Sequence, residues 1–543
     1  MSAFTGTGTL IRLAARRDRI KLPLWIMGIS AMFGVSVMST IDLYGGDLAA
    51  RTTYALTTAP SVVSRVFGGP VNGPDIGSIV LNETFLFTAL AAAFMSTLAV
   101  IRHTRQNEET GRSELIGSGI VGLHASLTAA LAVVMGANIL LGGLIVLILL
   151  GNDLPMAGSI ATGAAVAMTG MVFAAAAAVT AQISESARGS NSLAALVIGA
   201  AFLLRAIGDG MGHLTQGGMA IVSAWPSWLS PIGWMQQLHP FTEQHWGTFG
   251  LAGVLCTALI GTAFFLTNKR DMGMGMLPVK QGPATAPAGL LSPFGLAWRL
   301  QKGILKGWAV AIVVLGATYG LVAEEFEKLF TENEAVADLM KQLGGTDNIT
   351  DALLGALFFF MAITISAYAI QALQRLRTEE AGGQLETVLA TAVSRPRWML
   401  SHIACAGIGV FVLTLLTGVS LSTAYVLAAS EPLGEILSLT GAMFVHMPAI
   451  LALAGFAVLA FGLLPRAAVG VAWAGFGFCL LIGQFGTTLK LPQWVLDISP
   501  FTHTPSVPAE TVTIAPIATL LAVAITLSVA GLVLFRRRDL DAA

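Results

Sequence analysis

Charged residues are scarce in this chain of 543 residues. Asp, Glu, Lys and Arg make up 11% of the sequence, whereas a soluble protein ordinarily carries about 25%. This is too little charge to cover a surface exposed to water, so a soluble globular protein and a disordered chain are both excluded. Hydrophobic residues make up 55% of the chain, and its mean hydropathy is +0.77. The composition indicates an integral membrane protein with many helical spans.

Cysteine and catalytic motifs are also lacking. Cys256, Cys405 and Cys479 lie in apolar runs and form no CxxC pair, which excludes a disulfide framework and a cysteine metal site. No GxxxxGK[ST] loop is present to bind nucleotide phosphates, no HExxH pair to bind a metal, and no GxSxG elbow to present a serine nucleophile. We therefore expect no catalytic residue, metal ion or cofactor on this chain. The net charge of −1 gives no sign of a nucleic-acid partner.

Apolar runs long enough to cross the hydrocarbon core, about 20 residues each, predict about twelve transmembrane helices in an all-α fold. They lie near 22–41, 84–101, 126–150, 157–181, 191–208 and 247–266 in the first half, and near 307–323, 353–372, 400–429, 437–463, 467–487 and 514–535 in the second. The abundance of Gly and Ala within them suits helices that pack closely against one another.

The placement of Lys and Arg predicts the orientation of the chain. They cluster before the first span, between spans 2 and 3, between spans 6 and 7, after span 8 and at the C-terminal end. The stretch 210–246, between spans 5 and 6, contains none. Because basic residues concentrate in cytoplasmic loops, we expect both termini in the cytoplasm and 210–246 on the outside.

The two halves of the chain repeat one pattern with a period of about 270 residues. Its matching parts are the basic amphipathic starts 10–25 and 294–308, the charged segments 104–119 and 376–391, the Trp- and Pro-containing outer segments 225–234 and 491–505, and the basic tails 268–272 and 536–540. The predicted domains are two six-helix repeats, 1–271 and 294–543, joined by a Gly- and Pro-rich cytoplasmic linker, 272–293. Two parallel copies of a membrane unit are typical of transporters with a shared pathway between the halves.

Acidic residues follow the second span of each repeat in nearly the same order. The first segment contains Arg105, Glu108, Glu109, Gly111 and Glu114, and the second contains Glu379, Glu380, Gly382 and Glu386, with one extra residue before its last Glu. Because the anionic inner leaflet repels carboxylates, we expect these acids to face a protein partner. The alternative is a solvated loop in which they pair with Arg105, Arg112, Arg375 and Arg377.

Span 5 contains two charged residues, Arg205 and Asp209, which are four positions apart and therefore share one helix face. Aligning the two repeats places Gly483 and Thr487 at the equivalent positions, so the second half lacks this pair. We predict that Arg205 faces the interface between the halves and holds the outward path closed. The alternative is that the pair only fixes the depth of the helix.

Three stretches together resemble a known family over essentially the whole chain. They are EETGRSEL within the first acidic segment, RGSNSLAALVIGAAFLLRAIGD at 188–209 and WLSPIGWMQQLHPF at 228–241. The family is the membrane-spanning permease of bacterial ATP-binding cassette exporters, in the fused two-repeat form of polyketide-antibiotic and multidrug exporters. The first acidic segment departs from the family by continuing as GSGIVGLHA, whereas the second keeps VSRPR at 393–397. We expect the first docking site to bind its partner less typically.

The resemblance implies an exporter subunit in the bacterial inner membrane, surrounded by lipid. Its substrates would be hydrophobic or amphipathic compounds such as drugs, antibiotics and lipid-like molecules. Two copies of a separate cytoplasmic ATPase subunit would hold ATP and Mg²⁺. Coupling helices at 105–116 and 378–389 would receive the ATPase subunits, and the amphipathic starts would be elbow helices on the membrane surface.

The resemblance also implies an external gate and a substrate path. The gate would consist of short re-entrant helices in the outer segments. The implied gate residues are Trp228, Pro231, Trp234 and Pro500, beside Arg205 and Asp209. The apolar path would include Phe87, Phe358, Phe359 and Met361, whose large side chains suit varied ligands.

An ion-coupled secondary multidrug carrier is the alternative function, because such carriers also have twelve spans in two halves. They place ionisable residues inside the membrane to carry the coupling ion. The predicted spans contain few such residues beyond Arg205, with Asp209 at the edge of span 5, which favours the ATP-driven exporter. A non-transporting scaffold has no feature in its support.

Overall fold

The computed structural model describes residues 2–271, 273–276, 284–331, 349–485 and 492–540. It divides into two compact units, Met1–Gly282 and Pro283–Ala543. The boundary lies within the predicted linker 272–293, of which residues 272 and 277–283 are outside the described part. Regular structure in the described part is almost entirely α-helical, so the predicted all-α membrane fold is confirmed.

The first unit contains twelve α-helices and one small β-hairpin among its described residues. The helices are α1 (Thr7–Arg17), α2 (Lys21–Tyr44), α3 (Leu48–Thr58), α4 (Val62–Phe67), α5 (Ile76–His103), α6 (Arg105–Glu109), α7 (Arg112–Gly117), α8 (Ala125–Gly151), α9 (Met156–Ile183), α10 (Ala187–Gly210), α11 (Pro231–Gln236) and α12 (Trp246–Thr267). Strands β1 (His213–Leu214) and β2 (Ile221–Val222) pair antiparallel, and a 3₁₀ helix spans Trp225–Leu229.

The regular structure of the second unit is entirely helical among its described residues. Its α-helices are α13 (Pro293–Thr331), α14 (Ile349–Ala381), α15 (Gln384–Leu389), α16 (Arg395–Ala429), α17 (Glu435–Phe444), α18 (Met447–Leu463), α19 (Ala468–Phe485), α20 (Gln493–Leu496) and α21 (Ile514–Arg537). Two 3₁₀ helices lie at Ala288–Leu291 and Pro500–His503.

Eleven helical stretches in the described part of the chain are long and apolar enough to cross a membrane, and α17 and α18 together form one of them, Glu435–Leu463. They correspond to all the predicted spans except 467–487. That span corresponds to α19, whose apolar portion Ala468–Ile482 is shorter than the others. Residues 486 and 487 of the predicted span are outside the described residues.

Burial separates the central helices of each unit from the peripheral ones. In the first unit, 72% of the most apolar stretch of α5 and 78% of that of α9 are buried, against 17% for α12. In the second unit the corresponding share is 72% for α14 and 17% for α13 and α21. The rows of Ala and Gly along α9 explain its central place, because small side chains allow neighbouring helices to approach closely.

The two amphipathic starts differ in structure. In the first unit α1 ends at Arg17, and the carboxylate of Asp18 is bound by Arg102 and His103 on α5. This buried contact fixes a turn before α2 begins. The stretch 294–308 contains no acidic residue, and there α13 continues without a break into the span. The separate elbow helix expected in the second half is therefore replaced by a continuous helix.

Replacing Gly142 on α8 with Ala should destabilise the first unit by about 1–3 kcal/mol. A Cβ atom at Gly142 would lie 2.5 Å from the carbonyl oxygen of Gly163 on α9. Gly143 is the matched control, because nothing lies within 4 Å of its Cβ position. Gly143→Ala gains helix propensity and should keep or raise the Tm. Thermal unfolding of both variants in one detergent measures the difference, and equal Tm values would contradict the close approach of α8 and α9.

Candidate functional site

Each acidic segment consists of a helix end, a left-handed glycine and a helix of six residues. In the first unit α6 is followed by Gly111, with φ of 70°, and then by α7. In the second unit α14 is followed by Gly383, with φ of 71°, and then by α15. Glycine adopts this backbone without the steric cost that a Cβ atom brings. The predicted surface helices 105–116 and 378–389 are thus each interrupted by one sharp turn.

The glycines correct the alignment of the two segments. The order of the acidic residues alone matches Gly111 with Gly382 and leaves one extra residue in the second segment. The structure matches Gly111 with Gly383, because these two residues share the left-handed conformation. The extra residue then disappears. The remaining matched pairs are Arg105 with Arg377, Asn107 with Glu379, Glu108 with Glu380, Glu109 with Ala381 and Glu114 with Glu386.

The corrected alignment equates two ion pairs that have the same geometry. The guanidinium of Arg270, just after α12, donates to both carboxylate oxygens of Glu108, at 2.6 and 2.8 Å. The guanidinium of Arg538, just after α21, donates to both oxygens of Glu380, at 2.6 and 2.9 Å. Planar two-point contacts of this kind are the strongest protein ion pairs. In each unit, therefore, the basic tail of the last helix holds the acidic segment.

Further contacts fix these carboxylates in place. Glu108 also pairs with Arg105, and Glu380 with Arg377, in each case three residues earlier. The guanidinium carbon of Arg538 lies 5.1 Å from the centres of the Phe461 and Phe535 rings. Stacking on two rings restricts the arginine to one position. These acids thus contact arginines of their own unit, including partners that the solvated-loop alternative names.

Glu379 connects the second segment to two more helices. Its carboxylate accepts hydrogen bonds from Arg375 Nε at 3.1 Å and from Trp398 Nε1 of α16 at 3.2 Å, and His402 Nε2 lies 3.5 Å away. The side-chain amide of Gln301 on α13 contacts His402 Nδ1 at 3.1 Å. A continuous polar chain therefore leads from α13 to the acidic segment.

Asp18 makes a comparable connection in the first unit. Its carboxylate lies 2.5 Å from Arg102 Nη1 and 2.6 Å from His103 Nε2. Burial raises the pKa of Asp18, but the hydrogen bond and charge of His103, together with Arg102, outweigh burial and hold the pKa below its ordinary value. The stability from this contact is present at neutral pH and is lost as the pH falls through the lowered pKa.

The acidic segments expose only some of the predicted docking residues. Glu114 and Glu386 are exposed at matched positions on α7 and α15. Glu109 is exposed as well, and its Oε2 accepts a hydrogen bond from the backbone N–H of Ala187, the first residue of α10, at 3.0 Å. A carboxylate at a helix N-terminus is stabilised by the helix dipole. The first segment is thereby joined directly to α10.

The opposite end of α10 carries Arg205 and Asp209, both fully buried. Arg205 Nη1 lies 3.1 Å from Asp209 Oδ2. The same guanidinium donates to the carbonyl oxygens of Arg65, at 3.3 Å, and Val66. All these partners belong to the first unit, so the pair attaches α4 to the end of α10.

The Trp- and Pro-containing outer segments form short helices. Pro231 begins α11, and Trp234 Nε1 donates to the carbonyl oxygen of Trp228, whose side chain is exposed, at 2.6 Å. In the second unit Pro500 begins a 3₁₀ helix and lines an apolar cavity of about 590 Å³. Thr487, the predicted counterpart of Asp209, is outside the described residues.

The predicted path residues occupy different surroundings. Phe87 is exposed on α5, whereas Phe358 and Met361 are buried in the core of the second unit. Phe359 is partly buried, and its ring packs edge-on against Phe501 at 5.8 Å between ring centres. Their role in a path stays a prediction.

Comparison with known proteins identifies a family to which the chain is similar. Residues 290–536 match the family model described as the C-terminal domain of the multidrug efflux system permease Rv1217c. Over 539 residues the chain is 38% identical to the multidrug efflux system permease protein Rv1217c of Mycobacterium tuberculosis, covering 99% of this chain and 96% of that protein. The chain belongs to this family of multidrug efflux permeases. It is a multi-pass membrane efflux permease, a transport protein rather than an enzyme.

Three features of the permease site do not follow from the sequence pattern. Gly383 and its neighbour Gly382 have the same side chain, so only the backbone angle distinguishes them. The basic tails that contain Arg270 and Arg538 match each other, but the pattern does not show that they are partners of the acidic segments. The signal was present, since each tail and each acidic segment recur together in both repeats.

Replacing Glu380 with Gln should destabilise the permease by about 1–3 kcal/mol, because the partly buried Arg538 guanidinium would lose its charged partner. Glu386→Gln is the matched control and should change stability by less than about 0.5 kcal/mol, since Glu386 is exposed. Thermal unfolding of both variants, together with Arg538→Gln and the double variant, gives the coupling energy. Additive effects of the two single changes would contradict a direct contact.

Proposed function

We propose that the permease is the membrane subunit of an ATP-driven exporter that moves hydrophobic or amphipathic compounds out of the cytoplasm. Two copies of a separate ATPase subunit would hold ATP and Mg²⁺ and dock on the acidic segments. Both termini would lie in the cytoplasm of a bacterial cell, with the permease in its inner membrane. The observation that carries the proposal is the matched pair of segments. Each is held by a two-point ion pair with an arginine, and each presents an exposed carboxylate at the same matched position, Glu114 or Glu386.

The contacts divide the acidic residues into two roles. Glu108, Glu379 and Glu380 would be positioning residues, because arginines of their own unit already occupy their carboxylates. Exposed Glu114 and Glu386 would meet basic side chains of the ATPase subunits. The ion pairs of Arg270 with Glu108 and of Arg538 with Glu380 would then carry a displacement of each segment to α12 and α21.

In the first unit α10 would carry the motion across the membrane. Glu109 binds its first backbone N–H, and at its other end Arg205 pairs with Asp209 and binds carbonyl oxygens of α4. A helix of this length is a stiff rod, because all its interior backbone groups are bonded internally. Movement of the acidic segment would thus reach the proposed gate, where Arg205 would hold the outward path closed.

The ion-coupled carrier remains the second candidate. A coupling carboxylate must gain and lose its ion during transport. The carboxylate of Asp209 is bound by Arg205, and that of Glu83 on α5 accepts a hydrogen bond from Tyr54. Both groups already have partners in the first unit, which favours the ATP-driven mechanism.

Docking is tested by reversing the exposed charges. Glu114→Lys and Glu386→Lys should each weaken stimulation of the ATPase subunit about tenfold, because basic groups would face the partner's basic groups. Glu435→Lys is the control, since Glu435 is also exposed but begins α17, on the predicted outer side. ATP hydrolysis and efflux are measured in vesicles containing the permease and its ATPase subunit. Full hydrolysis by the permease alone, or unchanged stimulation in both variants, would contradict the proposal.

The gate role requires a variant that still folds. Arg205→Met alone leaves the Asp209 carboxylate buried without its partner and should cost about 3–5 kcal/mol. The double variant Arg205→Met with Asp209→Leu removes both charges and should restore the folded level. If the pair closes the outward path, the double variant shows altered efflux or basal ATPase rate. If it only seats the helix, both rates match those of the unchanged protein, and the gate role is wrong.

A further inference from the structure

The second unit contains an apolar cavity of about 590 Å³ among its described residues. It lies between α18, α19 and the first half of α21, from Ala515 to Leu527, and is capped by residues of the segment 497–503. The ion pair between Arg538 and Glu380 is at the opposite end of α21. With the predicted orientation, the cavity is therefore in the outer half of the membrane.

The walls of the cavity are suited to a drug-sized apolar body. Leu453 and Phe456 of α18, Phe478 and Cys479 of α19, and Leu520 of α21 line it. Small-molecule sites in proteins enclose about 300–1,000 Å³ and are lined mainly by hydrophobic and aromatic side chains with a few polar groups. The cavity matches this description in size and in lining.

The carboxylate of Asp497 places one negative charge at the edge of the cavity. Among the lining residues Asp497 is the only carboxylate, and none is Lys or Arg. The Gln493 side-chain amide donates to Asp497 Oδ1 at 2.9 Å, and His503 Nε2 donates to the Asp497 backbone carbonyl at 2.9 Å. These two bonds hold the carboxylate at the cavity mouth.

We propose that this cavity binds lipophilic cations, with the apolar body among the helices and the positive charge at Asp497. The proposal names a substrate class for the export function and rests on that function for its biological role. A cation at the rim gains the charge of Asp497, while its apolar body is removed from water. The rings of Phe456 and Phe478 offer further faces to a positive group.

Cys479 lines the cavity and is 5% exposed, so the rate at which its thiol is labelled reports occupancy of the cavity. The chain has three cysteines, so Cys256→Ser with Cys405→Ser leaves Cys479 as the only thiol. The probe is tetraphenylphosphonium, and the control is tetraphenylborate, which has the same shape and the opposite charge. Tetraphenylphosphonium at ten times its Kd should slow labelling of Cys479 by N-ethylmaleimide about tenfold. Tetraphenylborate should leave the rate unchanged.

Equilibrium dialysis of the permease with its native cysteines tests the same site without labelling. Asp497→Asn should weaken tetraphenylphosphonium binding about fivefold, whereas Asp497→Glu should retain it. Thr519→Trp should abolish binding by filling the cavity. Thr526→Trp is its matched control, because Thr526 is exposed on the same helix but does not line the cavity.

The outcomes separate this proposal from the export function. Equal binding of both tetraphenyl ions, or full binding by Asp497→Asn, overturns the cation class. Full binding by Thr519→Trp overturns the cavity as the site. Since no ATPase subunit is present in these measurements, the permease could fail them and still show ATP-driven efflux with its partner. Conversely, cation binding without ATP-driven efflux supports the site and contradicts the exporter proposal.

Discussion

The two-point ion pair between a glutamate and an arginine is the contact on which each proposed coupling site depends. Glu108 lies in α6, directly after the long helix α5, and Glu380 lies in the last turn of α14; in both units the arginine follows the last helix. The pair therefore joins the acidic segment of each unit to the end of its last helix, α12 in the first unit and α21 in the second. A carboxylate buried here without an arginine would be costly, so the two residues must be kept together. The left-handed glycine beyond the glutamate then turns the chain, which leaves the next carboxylate exposed.

The sequence predicts most of the fold because membrane helices are recognised by the length and apolarity of their residue runs. Eleven described helical stretches meet these criteria, close to the positions expected. The exception at 294–308 arises because an amphipathic pattern indicates which face of a helix is polar but not whether the helix stops. The stop after Arg17 depends on Asp18 meeting Arg102 and His103, which are distant in sequence.

The candidate site was only partly predictable, for a related reason. A run of glutamates shows that negative charge is present, but not which carboxylates are already occupied. Glu108 and Glu380 are bound by arginines more than a hundred residues away along the chain, whereas Glu114 and Glu386 are exposed. The pairing of Arg205 with Asp209 follows from helical spacing alone. Their attachment to the carbonyl groups of α4 requires the folded chain.

Joining both units in one polypeptide lets each half change by itself. In an assembly of two identical chains, any substitution appears twice, so a feature useful in one half is forced on the other. Here the buried pair of Arg205 and Asp209 is present once, and so is the carboxylate of Glu109 at the start of α10, where the second segment has Ala381. Two units in one polypeptide thus permit a division of labour between the halves that two identical chains cannot have.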